Sequence, residues 1–208
     1  MTTEAGAKNF ILEKKPDTVI HCAAYTAVDK AESEAELAIT VNGLGTRWVA
    51  KACREVAVIT VLDKYFVVRT SWVFGINGNN FIKTMLRLAE TKKKLNVVND
   101  QIGSPTYTPD LARLLADMTA SEKFGIYHAT NESFCSWADF VREIFKQAGL
   151  DVEVDGVPTI EYPTPARRPF NSRLSKKSLN EAGFDRLPPW EDALKRYLVE
   201  LKQKSSKV

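Results

Sequence analysis

Two residues, Asp63 and Lys64, are all that separate two runs with strand character, Val56 to Leu62 and Tyr65 to Trp72. This spacing constrains the fold more than any other feature of the chain. Parallel neighbours need a crossover of a dozen residues or more, whereas two residues close an antiparallel hairpin. Read locally, the junction predicts a hairpin. Upstream, Thr18 to Ala24 is a third short apolar run, of the kind buried in a parallel sheet.

Helical spacing fills the intervals between such runs. Lys8 to Lys15 offers a turn or two before Pro16 and Asp17. Between Asp29 and Val56, the positions Leu37, Val41, Leu44, Trp48, Val49 and Cys53 recur mostly at three- and four-residue steps, as one helix or a helix pair requires. Helices are also predicted over Asn80 to Lys92, from Pro109 through Met118, and over Trp190 to Leu201. The clearest runs from the cap residue Ser136 to Gly149, with Trp137, Phe140, Val141, Ile144 and Phe145 facing inward. Short strands are predicted at Leu95 to Val98, Gly125 to Ala129 and Val152 to Val157, and the proline-rich stretch Tyr162 to Pro169 reads as a loop. Lys202 to Val208 reads as a solvated tail. Strands alternating with helices define an α/β class.

The 208 residues suffice for one ordinary domain or a small pair. Twenty-nine basic residues against 26 acidic ones leave a net charge of +3, which calls for neither nucleic acid nor an anionic membrane. No apolar run approaches the ~20 residues that span a bilayer, and the opening residues carry no leader-like apolar core. Three widely spaced cysteines, Cys22, Cys53 and Cys135, suit reduced thiols, so a cytoplasmic chain is expected.

Isolated features decide little by themselves. His21 and His128, the only histidines, have no second metal ligand at a recognised spacing. Gly43-Leu-Gly45 lacks a third glycine and follows a helical pattern, which removes the mechanical reason for a dinucleotide turn. Asp29, Glu32, Glu34 and Glu36 are explained by solvation and the helix dipole. More informative is His21-Cys-Ala-Ala-Tyr-Thr26, where small residues at a strand end let a ligand approach the backbone; tight packing under a helix would use the same residues. Arg167 and Arg168, set between prolines, offer planar cations suited to a diphosphate, or else form a surface charge run. Gly103-Ser-Pro-Thr106 after Asn99-Asp-Gln101 supplies the amides and hydroxyls of a polar recognition loop.

Five segments in order carry a resemblance: Ala23-Ala-Tyr-Thr-Ala-Val-Asp-Lys-Ala-Glu-Ser-Glu34, Arg69-Thr-Ser-Trp-Val-Phe-Gly75, Gly78-Asn-Asn-Phe-Ile-Lys-Thr-Met-Leu-Arg-Leu88, Asn99 to Thr106, and Tyr162 to Pro169. Together they resemble the dTDP-4-dehydrorhamnose reductases, a family of extended short-chain dehydrogenases/reductases. The resemblance implies a Rossmann-like parallel sheet, here incomplete, with a smaller C-terminal substrate-binding part. It implies residues 1–74 as the remnant of the NAD(P)-binding domain and 75–208 as the segment that completes it and forms the nucleotide-sugar-binding part. The implied activity is reduction of the C4 ketone of dTDP-4-dehydro-L-rhamnose by NADPH or NADH, giving dTDP-L-rhamnose for cell-surface polysaccharide. A dTDP-sugar is the implied partner, a homodimer is compatible with the family, and the residues are silent on Mg²⁺.

Carried over by position, Ala23, Ala24, Tyr25 and Thr26 match the strand end lining the dinucleotide site. Trp72 matches a tryptophan beside the sugar, with Val28 on a nearby loop, and Asn80, Gln101 and Arg167 are assigned to nucleotide and diphosphate contacts. Two parts of the family pattern have no counterpart here. One is the first strand with its glycine-rich turn; the other, expected between Val56 and Tyr65, includes a helix bearing Tyr-x-x-x-Lys. No Tyr-x-x-x-Lys occurs anywhere in the sequence. The resemblance gives that pair the proton for the nascent C4 alkoxide, so little turnover is expected, and a non-catalytic nucleotide-sugar-binding or regulatory relative is the rival reading.

Overall fold

A computed structural model describes residues 3–56 and 64–205. The chain divides into two compact units, Met1–Tyr65 with Thr164–Arg167, and Phe66–Pro163 with Arg168–Val208.

In the first unit, helix α1 (Glu4–Lys14) starts where the Thr3 hydroxyl accepts the amide of Gly6 at 3.1 Å. Short helices α2 (Val28–Ala31) and α3 (Ala35–Ile39) lead through a π-helical turn, Thr40–Leu44, into α4 (Gly45–Val56). Ala7 and Ile11 of α1 pack on Val49 and Ala52 of α4, with Trp48 and Cys53 at the margin. Thr18 to Ala24, expected as a strand, is not one in the structure. Strand identity comes from a ladder of neighbours rather than from apolar side chains alone, and among the described residues none is paired with this run. Val56 to Leu62, one arm of the expected hairpin, lies largely outside the described residues.

The second unit holds every strand described. Strand β1 (Phe66–Arg69) pairs in parallel with β6 (Gly125–His128), Val67 opposite Ile126 and Val68 opposite Tyr127. Residues alternate between faces, so Phe66, Val68 and Tyr127 pack with Leu114, Met118, Leu179 and Phe184. Val67 and Ile126 stay 42% and 56% exposed on the other face. β2 (Val73–Phe74) pairs with β5 (Thr106–Tyr107), and β3 (Lys94–Val98) with β9 (Glu153–Val157), both in parallel. β4 (Ile102–Gly103) runs antiparallel to β8 (Cys135–Ser136), and β10 (Leu187–Pro189) runs parallel to β7 (Asn131–Glu132).

Helices α5 (Phe81–Ala89), α6 (Thr108–Thr119), α7 (Trp137–Ala148), α8 (Lys177–Glu181) and α9 (Trp190–Ser205) complete this unit. Its main core joins Phe140, Val141, Ile144 and Phe145 of α7 to Leu194, Tyr197 and Leu198 of α9, and both helices to Phe74, Ile82, Leu95 and Tyr107. The expected solvated tail is shortened, because α9 continues to Ser205 with Lys202 and Lys204 in its last turn. Cations there complement the helix dipole and favour the extra turn.

Candidate functional site

The sequence-predicted residues fall on both units, and each part is described by itself. In the first, Ala23, Ala24 and Thr26 lie exposed on irregular chain, with side chains too small to screen the backbone. Between them Tyr25 is held twice by one residue of the π-helical turn. Asn42 Oδ1 accepts the Tyr25 amide at 2.7 Å, and Asn42 Nδ2 donates to the Tyr25 carbonyl at 3.2 Å. A single side chain thus supplies both bonds that a neighbouring strand would make. The Tyr25 hydroxyl donates to the Glu34 carboxylate, a bond that pushes the phenol pKa up.

Val28 begins α2 and is half exposed. Its neighbour Asp29 accepts the Ala166 amide through Oδ1 at 3.2 Å, which ties the proline-rich segment carrying Arg167 to α2. Arg167 and Val28, far apart in sequence, therefore belong to one unit, and Arg167 is exposed. A dinucleotide needs backbone it can approach closely, and residues 23, 24 and 26 fit that need. The described residues of the first unit contain no glycine-rich turn leading from a strand into a helix: Gly6 is inside α1, Gly43 is in the π-helical turn and Gly45 opens α4 directly behind it.

In the second unit, Trp72 sits in the left-handed region at φ 48°. For a bulky residue that conformation costs about 1–3 kcal/mol and persists only where its surroundings enforce it. Here they do. The Trp72 carbonyl accepts the Thr106 amide at 3.1 Å, Ser71 Oγ donates to the Ser104 carbonyl at 3.0 Å, and Thr106 Oγ1 donates to the Ser71 carbonyl at 2.7 Å. The indole stacks on Trp137 with ring centroids 3.6 Å apart and planes 13° from parallel. Trp137 also meets Phe81 at 4.5 Å, linking the Trp72 and Asn80 segments.

Asn80 acts as a structural cap. Its Oδ1 accepts the Lys83 amide at 3.1 Å, and its Nδ2 donates to the Gly75 carbonyl at 2.8 Å and the Tyr197 hydroxyl at 3.1 Å. Lys83 Nζ closes the same loop by donating to the carbonyls of Ile76 and Gly78, each at 2.7 Å. A cleft of about 410 Å³ opens there, lined in part by Asn77, Asn79, Asn80 and Thr108. Gln101 is buried and donates through Nε2 to Thr159 Oγ1 at 3.0 Å. Beside it, Asp100 accepts both the Thr159 amide at 2.9 Å and its hydroxyl at 2.5 Å. Desolvation pushes the Asp100 pKa up, but the bonds from Thr159 outweigh it and leave the carboxyl below its ordinary value.

The sequence does not single out Asn42, whose role depends on where the π-helical turn lands, nor the stacking of the inward-facing Trp137 on Trp72. Trp137 is part-buried and packs at the margin of the main core. The chemistry on offer is recognition: an aromatic wall, a hydroxyl- and amide-lined turn, exposed small residues and an arginine. No group of three or more His, Cys, Asp or Glu among the described residues is placed to hold a metal. No described helix is long and apolar enough to cross a membrane.

The chain matches the RmlD substrate binding domain over residues 1–62 and again over 54–203. It is 35% identical to dTDP-4-dehydrorhamnose reductase of Salmonella typhimurium over 254 residues, covering 94% of this chain and 83% of that protein. The alignment is longer than the 208-residue chain, so the relative carries residues inside the matched span that are missing here. The two family matches meet at residues 54–62, ahead of β1. Among solved structures, a Clostridium acetobutylicum dTDP-4-dehydrorhamnose reductase superposes with a TM-score of 0.91 at 35% identity, covering 97% of this chain and 86% of that one. The Bacillus anthracis dTDP-4-dehydrorhamnose reductase in complex with NADP gives 0.89 at 34% identity, with coverage of 96% and 86%.

Proposed function

Because the chain belongs to the dTDP-4-dehydrorhamnose reductase family, we propose that it binds NADPH and a dTDP-sugar and reduces the C4 ketone of dTDP-4-dehydro-L-rhamnose to give dTDP-L-rhamnose. The observation that carries this reading is the match along nearly the whole chain together with the shared fold. The bound cofactor would supply the hydride. In this reading Ala23, Ala24, Tyr25 and Thr26 receive the cofactor on open backbone that Asn42 fixes in place. Val28 and Trp72 border the hexose, Gln101 and the loop capped by Asn80 face the nucleotide, and Arg167 pairs with the diphosphate, for which a guanidinium fork is well shaped. Residues 1–74 serve as the cofactor-binding remnant and 75–208 as the nucleotide-sugar-binding part. The setting is cytoplasmic synthesis of cell-surface polysaccharide precursors, and the working form is a homodimer.

No Tyr-x-x-x-Lys pair exists in the sequence to pass a proton to the C4 oxygen. General-acid help of that kind is typically worth about 10²–10⁴ in rate, so turnover is expected to fall below that of the Salmonella relative by a factor in this range. Calorimetric titration with dTDP-L-rhamnose and NADPH, alongside NADPH oxidation in the presence of dTDP-4-dehydro-L-rhamnose, tests both statements. Binding of both ligands with slow oxidation is the expected result. Binding of neither overturns the proposal, binding of the sugar nucleotide with no oxidation favours a non-catalytic relative, and turnover equal to the Salmonella enzyme refutes the rate argument.

A further inference from the structure

The left-handed Trp72 is held by groups that arrive from distant segments of the chain. One face of its indole lies against Trp137, with centroids 3.6 Å apart. Gly103 passes so close that a Cβ there would stand 2.6 Å from Trp72 Cε2, 2.8 Å from Cζ2 and 2.7 Å from Ser172 Oγ. Only a residue without a side chain fits, although Gly103 does not itself have positive φ. The reason for glycine is thus the indole and not the backbone. Trp137, at the first position of α7, is fixed in turn by Phe81 and by the capped helix start at Ser136. Backbone strain in a partly buried aromatic residue, held by a second aromatic ring and a close glycine, is the pattern of a preorganised binding wall.

We propose that Trp137 and Gly103 are positioning residues that hold the Trp72 indole as a rigid wall for the hexose of the bound dTDP-sugar. The inference rests on the reading of Trp72 as part of the sugar subsite. Neither residue needs to touch the ligand; each acts by removing other orientations of the Trp72 ring, which lowers the ordering cost of binding.

The test compares dTDP-L-rhamnose with dTDP by calorimetry, so that the contribution of the sugar is isolated. Trp137→Ala and Gly103→Ala are each expected to weaken dTDP-L-rhamnose binding about tenfold, the size of a typical aromatic-pair interaction, while dTDP binding stays within about twofold. Trp137→Phe, which keeps a stacked ring, should restore most of the loss. The far-ultraviolet circular dichroism of the stacked indoles should show an exciton couplet that disappears in both Trp137→Phe and Trp72→Phe. Equal weakening of both ligands, or no change in either variant, overturns the positioning role and leaves the proposed function standing. If the unsubstituted protein binds dTDP-L-rhamnose no better than dTDP, the sugar subsite itself fails and the inference fails with it. Should Trp137→Ala not fold, Gly103→Ala decides alone, because its one added methyl acts on the indole and Ser172.

Discussion

Asp110 is 2% exposed, and its carboxylate is fully engaged. Arg196 reaches it with two guanidinium nitrogens at 2.8 and 2.7 Å, and Asn131 Nδ2 donates at 2.8 Å. Burial pushes the carboxyl pKa up, but Arg196 and Asn131 outweigh it and hold the group below its ordinary value of 3.8. Removing one member of such a pair strands the others. Asp110→Ala is expected to cost about 3 kcal/mol in urea unfolding, at the low end for a buried pair because Arg196 is partly solvated. The folded pKa lies below the unfolded one, so this stabilisation is present above the ordinary Asp range and lost as pH falls through the folded value. The difference in urea midpoint between the unsubstituted protein and Asp110→Asn should therefore shrink in acid below about pH 4; a constant difference would contradict the assignment. The thiols order themselves in the same way. Cys22 is exposed, whereas burial pushes the pKa of Cys53 up and that of Cys135 much further. Native labelling with a thiol-exchange reagent should modify Cys22 first, Cys53 slowly, and Cys135 only on unfolding.

Helix α7 shows what local sequence specifies at the scale of an element. Ser136 Oγ accepts the Asp139 amide at 3.0 Å while Asp139 Oδ2 accepts the Ser136 amide at 3.3 Å, a reciprocal cap that also lowers the Asp139 pKa. At the other end Gly149 adopts φ 72°, and a Cβ there would meet nothing within 4 Å. Ser136→Ala and Gly149→Ala should each destabilise by about 1 kcal/mol, the first through the lost cap and the second through backbone strain alone. Urea midpoints test both, and near-neutrality of Gly149→Ala would show that the end of the helix can rearrange. Ser136, Gly149 and the inward series Phe140, Val141, Ile144 and Phe145 were all legible beforehand, because caps and periodicity act within a few residues. The inward-facing Trp137 is legible too, but its stacking on Trp72 is not, because Trp72 arrives from a distant segment. The cap that holds the Asn80 loop is not legible in the same way, because the Asn80 amide bonds Gly75 and Tyr197, a partner that no local pattern points to.

Across the molecule the two units are unequal. The first packs around Ala7, Ile11, Val49 and Ala52, while Phe10, Ile20 and Ile39 remain 52%, 58% and 63% exposed. The second has two clusters built on long side chains from α6, α7 and α9. So small a core stabilises weakly, and native-state hydrogen exchange should find α1 and α4 opening well before α7 and α9. Equal protection in both sets would contradict this. The outward pair Val67 and Ile126 departs from the expectation that parallel strands are covered on both faces. The family matches meet just ahead of β1, and the uncovered pair lies on β1 and its neighbour β6.

Alternating apolar runs, caps and turn residues were enough to determine an α/β chain and the extents of most helices, since each depends on interactions between residues a few positions apart. The recognition segments that mark the family could be read in the same linear way. What only the tertiary structure decided is which partners complete those segments. Thr18 to Ala24 is apolar enough for a strand but has no ladder among the described residues. Phe66 to Arg69 found its partner at Gly125 to His128, and Tyr25 is held by Asn42. The left-handed Trp72 is fixed by Trp137 and Gly103. Hydrogen bonds between strands and contacts between rings join residues remote in sequence, and their energy depends on a geometry that exists only once the chain has folded.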